Sequence, residues 1–121
     1  MQFLPLAVLL LGSPVLLYSF LTFDDLVLRE RAHHHAEWED DRRPRTFLRR
    51  TREFEWSMRS WLATQRCSLT WCFITPSWIR NDPEAGRLHR RHRRLVACWC
   101  FLVVPAFGLA SMLAVVLAEH R

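Results

Sequence analysis

The sequence predicts an all-α membrane protein, two transmembrane helices joined by a helical, amphipathic segment, and three observations carry that expectation. Phe3 to Phe23 and Leu95 to Ala118 are apolar runs without a charged side chain, and about 18 such residues suffice to cross a bilayer. The second run follows directly on Arg87-Leu-His-Arg-Arg-His-Arg-Arg94. The middle of the chain, from Asp24 to Arg94, is charged and repeats its apolar residues at helical spacing.

At 1.5 Å per residue the first run makes a helix of about 32 Å and the second one of about 36 Å, against a hydrocarbon core of roughly 30 Å. Pro5, Pro14 and Pro105 fall inside the runs. In a bilayer neighbouring helices can satisfy the carbonyls a proline frees, so they read as kinks rather than breaks. A cleaved signal peptide competes for the first run. Against it, no basic residue precedes Phe3, the run exceeds the usual apolar region and no clear small-x-small site follows.

The expected division is residues 1–2 as a short external N-terminus, 3–23 as the first span, 24–94 as a cytoplasmic segment, 95–118 as the second span and 119–121 as a short external C-terminus. Orientation rests on arginine placement. Arg80, Arg87, Arg90, Arg91, Arg93 and Arg94 crowd the entry to the second span and Arg29 and Arg31 follow the first, so the middle belongs on the positive, inner side. The expected location is a bacterial inner membrane. Tyr18, Phe20 and Phe23 toward the inner end of the first span and Trp99 about one turn into the second agree with that orientation, although each ring alone is equally well ordinary apolar filler.

All 17 basic residues are arginine, against 12 acidic ones. Arginine suits phosphate through its planar fork, while a GC-rich genome explains the absence of lysine more simply. The charges come in blocks: net −5 over 24–41, +6 over 42–66 and +4 over 80–94. An acidic arm beside basic arms invites the chain to fold back. Arg87, Arg90, Arg91, Arg93 and Arg94 are the candidate contacts to anionic headgroups, each basic residue near such a leaflet contributing about 1 kcal/mol. No nucleic-acid reading element accompanies them.

The acidic block should continue the first span as a helix until Pro44. A second helix should begin near Arg45 or Thr46, because Phe47, Thr51, Phe54, Met58, Trp61, Leu62, Gln65, Leu69 and Cys72 share one stripe. The amphipathic face of Phe47, Phe54, Met58, Trp61, Leu62 and Leu69 could lie in the membrane interface, flanked by Arg52, Arg59 and Arg66, or pack as a small bundle. Trp56 projects opposite it. Cys67 to Ile79 is uncharged but too short to span, and Pro76 and Asn81-Asp-Pro-Glu-Ala-Gly86 supply turns before the last helix. In the second span Ala106, Ala110, Ala114 and Ala118 recur every four residues beside Gly108 and Ser111. That small face suits a close helix partner: the first span, a second copy or another membrane protein. Alanine is also common in spans.

Chemistry-bearing clusters are weak. His33, His34 and His35 with Glu30 and Glu37 allow two-ligand pairs at four-residue spacing, but consecutive histidines diverge around a helix and a solvated patch explains them as well. Cys67, Cys72, Cys98 and Cys100 lack the Cys-x-x-Cys spacing of redox or metal sites and read as reduced thiols. There is no glycine-rich phosphate loop or nucleophile elbow, and Asp24-Asp25 and Asp40-Asp41 read as solvated boundary charge. No cofactor, bound metal or catalytic activity is expected. The expected role is an accessory, scaffold or regulatory subunit. Alternatives are a headgroup-binding membrane-stress sensor and, more remotely, a His/Cys metal-handling protein. The acidic turn Asn81-Asp82-Pro83-Glu84, the arginine-rich helix and the terminal span resemble the closing part of universal stress protein B, a two-span bacterial type. That resemblance implies no function.

Overall fold

A computed structural model of the chain describes residues 2–49 and 57–121. All regular structure among them is helical: α1 (Leu4–His33), α2 (His35–Asp40), α3 (Met58–Phe73), α4 (Ser77–Asn81), α5 (Pro83–Cys98), a π-helical turn Trp99–Val103, and α6 (Val104–Glu119). The chain divides into two compact units, Met1–Tyr18 with Arg94–Arg121, and Ser19–Arg93.

In the first unit the prolines are accommodated one by one. Pro5 sits in the first turn of α1, where a missing N–H removes no helical bond. Pro14 deprives the Leu10 carbonyl of its donor, and the Ser13 hydroxyl donates to that oxygen at 2.9 Å. Pro105 meets the carbonyl four residues back, at Phe101, inside the π-helical turn, which is widened where the ring would crowd a regular one. Two helices are long and apolar enough to cross a membrane, yet only 11% and 6% of their most apolar windows are buried. Leu10, Leu11, Phe101, Leu109 and Met112 all point outward.

Gly12 marks a close approach within this unit. A Cβ added there would lie 2.3 Å from Val103 Cγ1 and 3.0 Å from Cγ2, and a β-branched side chain in a helix has little freedom to turn away. Around Gly108 there is open space. Gly12→Ala should therefore destabilise the detergent-solubilised chain by about 1–3 kcal/mol. Gly108→Ala should leave its thermal midpoint unchanged or raise it, because alanine is the better helix former.

The second unit is built around Phe23, Leu26 and Val27 of α1, Cys67 and Trp71 of α3, Trp78 and Ile79 of α4 and Ala85 of α5, with Phe47 and Leu88 against them. Phe23 lies 5.3–5.7 Å from the rings of Phe47, Trp71 and His92. Each large side chain removed from water contributes about 1.5–3 kcal/mol. On α3 the buried residues are Ala63, Thr64, Cys67 and Trp71, at spacings of one helical face, and Cys67 and Trp71 enter this core.

The acidic block is helical as expected, with a break at His34 (φ −132°, ψ 54°). It ends in a Schellman arrangement: Arg42 N–H donates to the Glu39 carbonyl at 3.0 Å and Arg43 N–H to the Trp38 carbonyl at 2.9 Å. Arg42 (φ 65°) and Arg43 (φ 57°) are both left-handed, which costs a non-glycine residue roughly 1–2 kcal/mol. Arg42→Gly should raise stability by about 1 kcal/mol, read as an upward shift of the denaturation midpoint. Trp38 holds the corner: its indole N–H donates to the Pro44 carbonyl at 3.0 Å, and Arg31 and Arg43 lie 5.4 and 5.9 Å from its ring.

The expected helix start at Arg45 or Thr46 is corrected. Residues 45–49 are non-helical and α3 begins at Met58, its first turn capped by the Ser57 hydroxyl, which accepts from Ser60 N–H at 3.1 Å. The cause is Asp24. Its carboxylate accepts the N–H groups of Phe47 (2.6 Å), Leu48 (2.8 Å) and Arg49 (3.0 Å), holding that stretch as a loop. Thr64 fixes the other side, accepting from Arg45 N–H at 2.7 Å and donating to the Arg45 carbonyl at 2.8 Å. Thr51, Arg52, Phe54 and Trp56 lie outside the described residues.

Candidate functional site

Helix α5 separates its charges by register. Ala85, His89 and His92 are buried and Leu88 is half-buried, at one-face spacing, while Arg87, Arg90, Arg91, Arg93 and Arg94 are exposed. His89 Nε2–H donates to the Trp71 carbonyl at 2.6 Å and His92 Nδ1–H to the Ser19 carbonyl at 3.1 Å. Burial lowers the pKa of His89, so a neutral ring holds α5 against α3 while the arginines stay outside. Arg87 pairs with Glu84 one turn back.

The start of α5 is an ion cluster. Asp82 accepts from Glu84 N–H at 3.1 Å as the cap, and Pro83 takes the first helical position. The same carboxylate receives a forked pair from Arg29, Nε at 2.7 Å and Nη2 at 3.0 Å, and His34 Nε2–H at 2.9 Å. The Arg29 fork, followed by His34 and the Ala85 N–H, holds the Asp82 carboxyl well below the usual carboxylate range. The acidic arm thus does fold onto the basic ones: Arg49 meets Asp25 at 3.1 Å and Arg66 approaches Asp41 at 3.9 Å.

One carboxyl is left over. Glu30 is fully buried and neither of its oxygens receives a hydrogen bond from a donor. Burial pushes its pKa up to about 10, and the nearby Asp41 and Glu37 carboxylates add to the shift. Cys67 belongs to the same pocket and is pushed up to about 12 by burial and then by Asp41 and Glu30, so it stays a thiol.

The sequence-derived faces fall as follows. Met58, Trp61, Leu62 and Leu69 are exposed on α3, opposite its core side, and Phe73 and Ile74 extend that exposed surface. Phe47 leaves the stripe and sits 4.9 Å from the Phe20 ring. In the small-residue face, Ala110 is buried, Ala114 and Ala118 line a cleft with Gln2 and Phe3 of the same unit, and Ala106 is exposed. The cysteines are free. His33 and His35 are exposed while His34 turns to Asp82. Among the described residues no three His, Cys, Asp or Glu side chains gather as metal ligands do.

Sequence reasoning placed Asp24 as solvated boundary charge, Glu30 among weak metal-ligand pairs and Asp82 in a turn, and missed that Asp24 and Glu30 are buried and that Asp82 gathers Arg29 and His34. Asp82-Pro83 carried a legible cap signal; Asp24 looks identical to Asp25 until the loop that needs it is in place. No family model matches the chain, nor does any curated protein or solved structure.

Proposed function

We propose that the chain is a two-pass membrane protein of the bacterial inner membrane, with both termini outside and the segment 24–94 on the cytoplasmic side. It acts without catalysis as an accessory, scaffold or regulatory subunit. The observation that carries this reading is the exposure of apolar side chains: only about a tenth or less of each apolar window is buried, a burden in water that lipid removes. The arginines of α5 then face anionic headgroups, and the outward faces of the spans remain for another membrane protein or a second copy.

A second reading, a sensor of membrane lipids, is supported by the exposed Met58, Trp61, Leu62, Leu69 and Phe73 beside Arg59 and Arg66. Purification of the full chain in mild detergent separates the two. A stoichiometric complex, lost on replacing the exposed Leu109 and Met112 by polar residues, supports the subunit. A monomer whose thermal midpoint rises with anionic lipid, through Trp61 and Leu69, supports the sensor.

A further inference from the structure

We propose that Arg42, Arg59 and Arg66 form a binding site for a phosphate group. The three arginines, with Leu62 and Ala63, line a cavity of about 320 Å³ within the Ser19–Arg93 unit, within the size range of small-ligand sites. Arg59, Leu62, Ala63 and Arg66 lie at spacings of three, four and seven on α3, so two guanidinium stems flank an apolar floor on one helix face. The third guanidinium comes from the turn after α2, where Arg42 holds a left-handed conformation that glycine would adopt without strain.

Three arginines border the cavity, and each carries a permanently charged planar fork that matches phosphate oxygens in pairs. Among the described ion pairs, the carboxylate that approaches this set is Asp41, 3.9 Å from Arg66. That is longer than a hydrogen bond, and one carboxylate against three guanidiniums leaves the cavity positive. Leu62 and Ala63 offer the organic part of a phosphate ester an apolar seat. The shared chemistry is the phosphate group, carried by a soluble ester or by a lipid headgroup. The site lies wholly in one unit, so it stands or falls separately from the membrane reading.

The test uses the full chain in detergent micelles, titrated with inorganic pyrophosphate against chloride of equal ionic strength and, separately, with phosphatidic acid against phosphatidylcholine. The expected result is a rise in thermal midpoint with pyrophosphate, phosphatidic acid or both, and an apparent affinity about tenfold weaker or more in Arg59→Gln and Arg66→Gln. Arg42→Gly guards against misfolding, because it should bind more weakly while being the more stable chain without ligand. A response to pyrophosphate alone identifies a soluble ligand and a response to phosphatidic acid identifies a lipid. No shift with either probe, or an equal shift in wild type and all three variants, overturns the proposal.

Discussion

Asp82→Ala should destabilise the Ser19–Arg93 unit by about 3 kcal/mol, read as a fall in the urea midpoint of the detergent-solubilised chain. Two losses combine. The α5 cap is worth about 1 kcal/mol, and removing the partner of a forked, charge-assisted pair adds about 2 kcal/mol. Full burial would make the second loss larger, but the Arg29 side chain is 29% exposed and can recover water. Asp82→Asn keeps a capping oxygen and should lose only the second part. The sign with pH is fixed by the direction of the shift. A carboxyl whose folded pKa lies below its ordinary 3.8 contributes stability that is fully present above that value and is lost as pH falls below it. The gap between wild type and Asp82→Ala should therefore be constant from pH 5 to 8 and shrink under stronger acid.

Glu30→Gln should have the opposite effect, a gain on the order of 3 kcal/mol at pH 7. A carboxyl whose pKa rises from 4.5 to about 10 on folding must take up a proton to be buried. That uptake costs about 1.4 kcal/mol for each pH unit above the unfolded value. Stability from this group is fully present below 4.5 and lost as pH rises toward 10, so acidification from pH 9 toward 7 should stabilise the wild type strongly and the variant only by the small part that the raised Cys67 thiol contributes near pH 9. Below about pH 6.5 the buried, neutral His89 works the other way, because its lowered pKa makes its burial costly once the unfolded ring is charged. Wild-type stability should therefore rise on mild acidification and then level off. A wild-type slope equal to that of Glu30→Gln above pH 7 would show that Glu30 is not the buried titrating group.

These residues also show which parts of the molecule could be read from the sequence. The apolar runs, the helical acidic block, the turn at Asn81-Asp82-Pro83 and the exposed arginines of α5 follow from local signals: uninterrupted apolarity, a cap followed by proline, and charge at one-face spacing. The face of α3 was harder, because its larger apolar side chains, Met58, Trp61, Leu62 and Leu69, point away from the unit's core. The core side is built from the smaller Ala63, Thr64 and Cys67 with one tryptophan. The buried side of α3 thus takes its smaller side chains, a choice that a hydrophobicity pattern ranks backwards. The start of α3 was illegible for another reason. Nothing local to Thr46–Arg49 forbids a helix; a carboxylate more than 20 residues earlier takes their N–H groups. Glu30 was equally hidden, since the groups around it, Asp41 and Cys67 among them, come from elsewhere in the chain.

The central claim is that the two apolar helices cross a bilayer and leave the arginine-rich unit on its inner side. A reporter that folds to an active form only outside the cytoplasmic membrane, fused in turn to each tail of the full chain, tests it most directly. Activity at both tails, with the same reporter silent when inserted after Arg80, is the result this account predicts. Silence at both tails, or activity after Arg80, would contradict it.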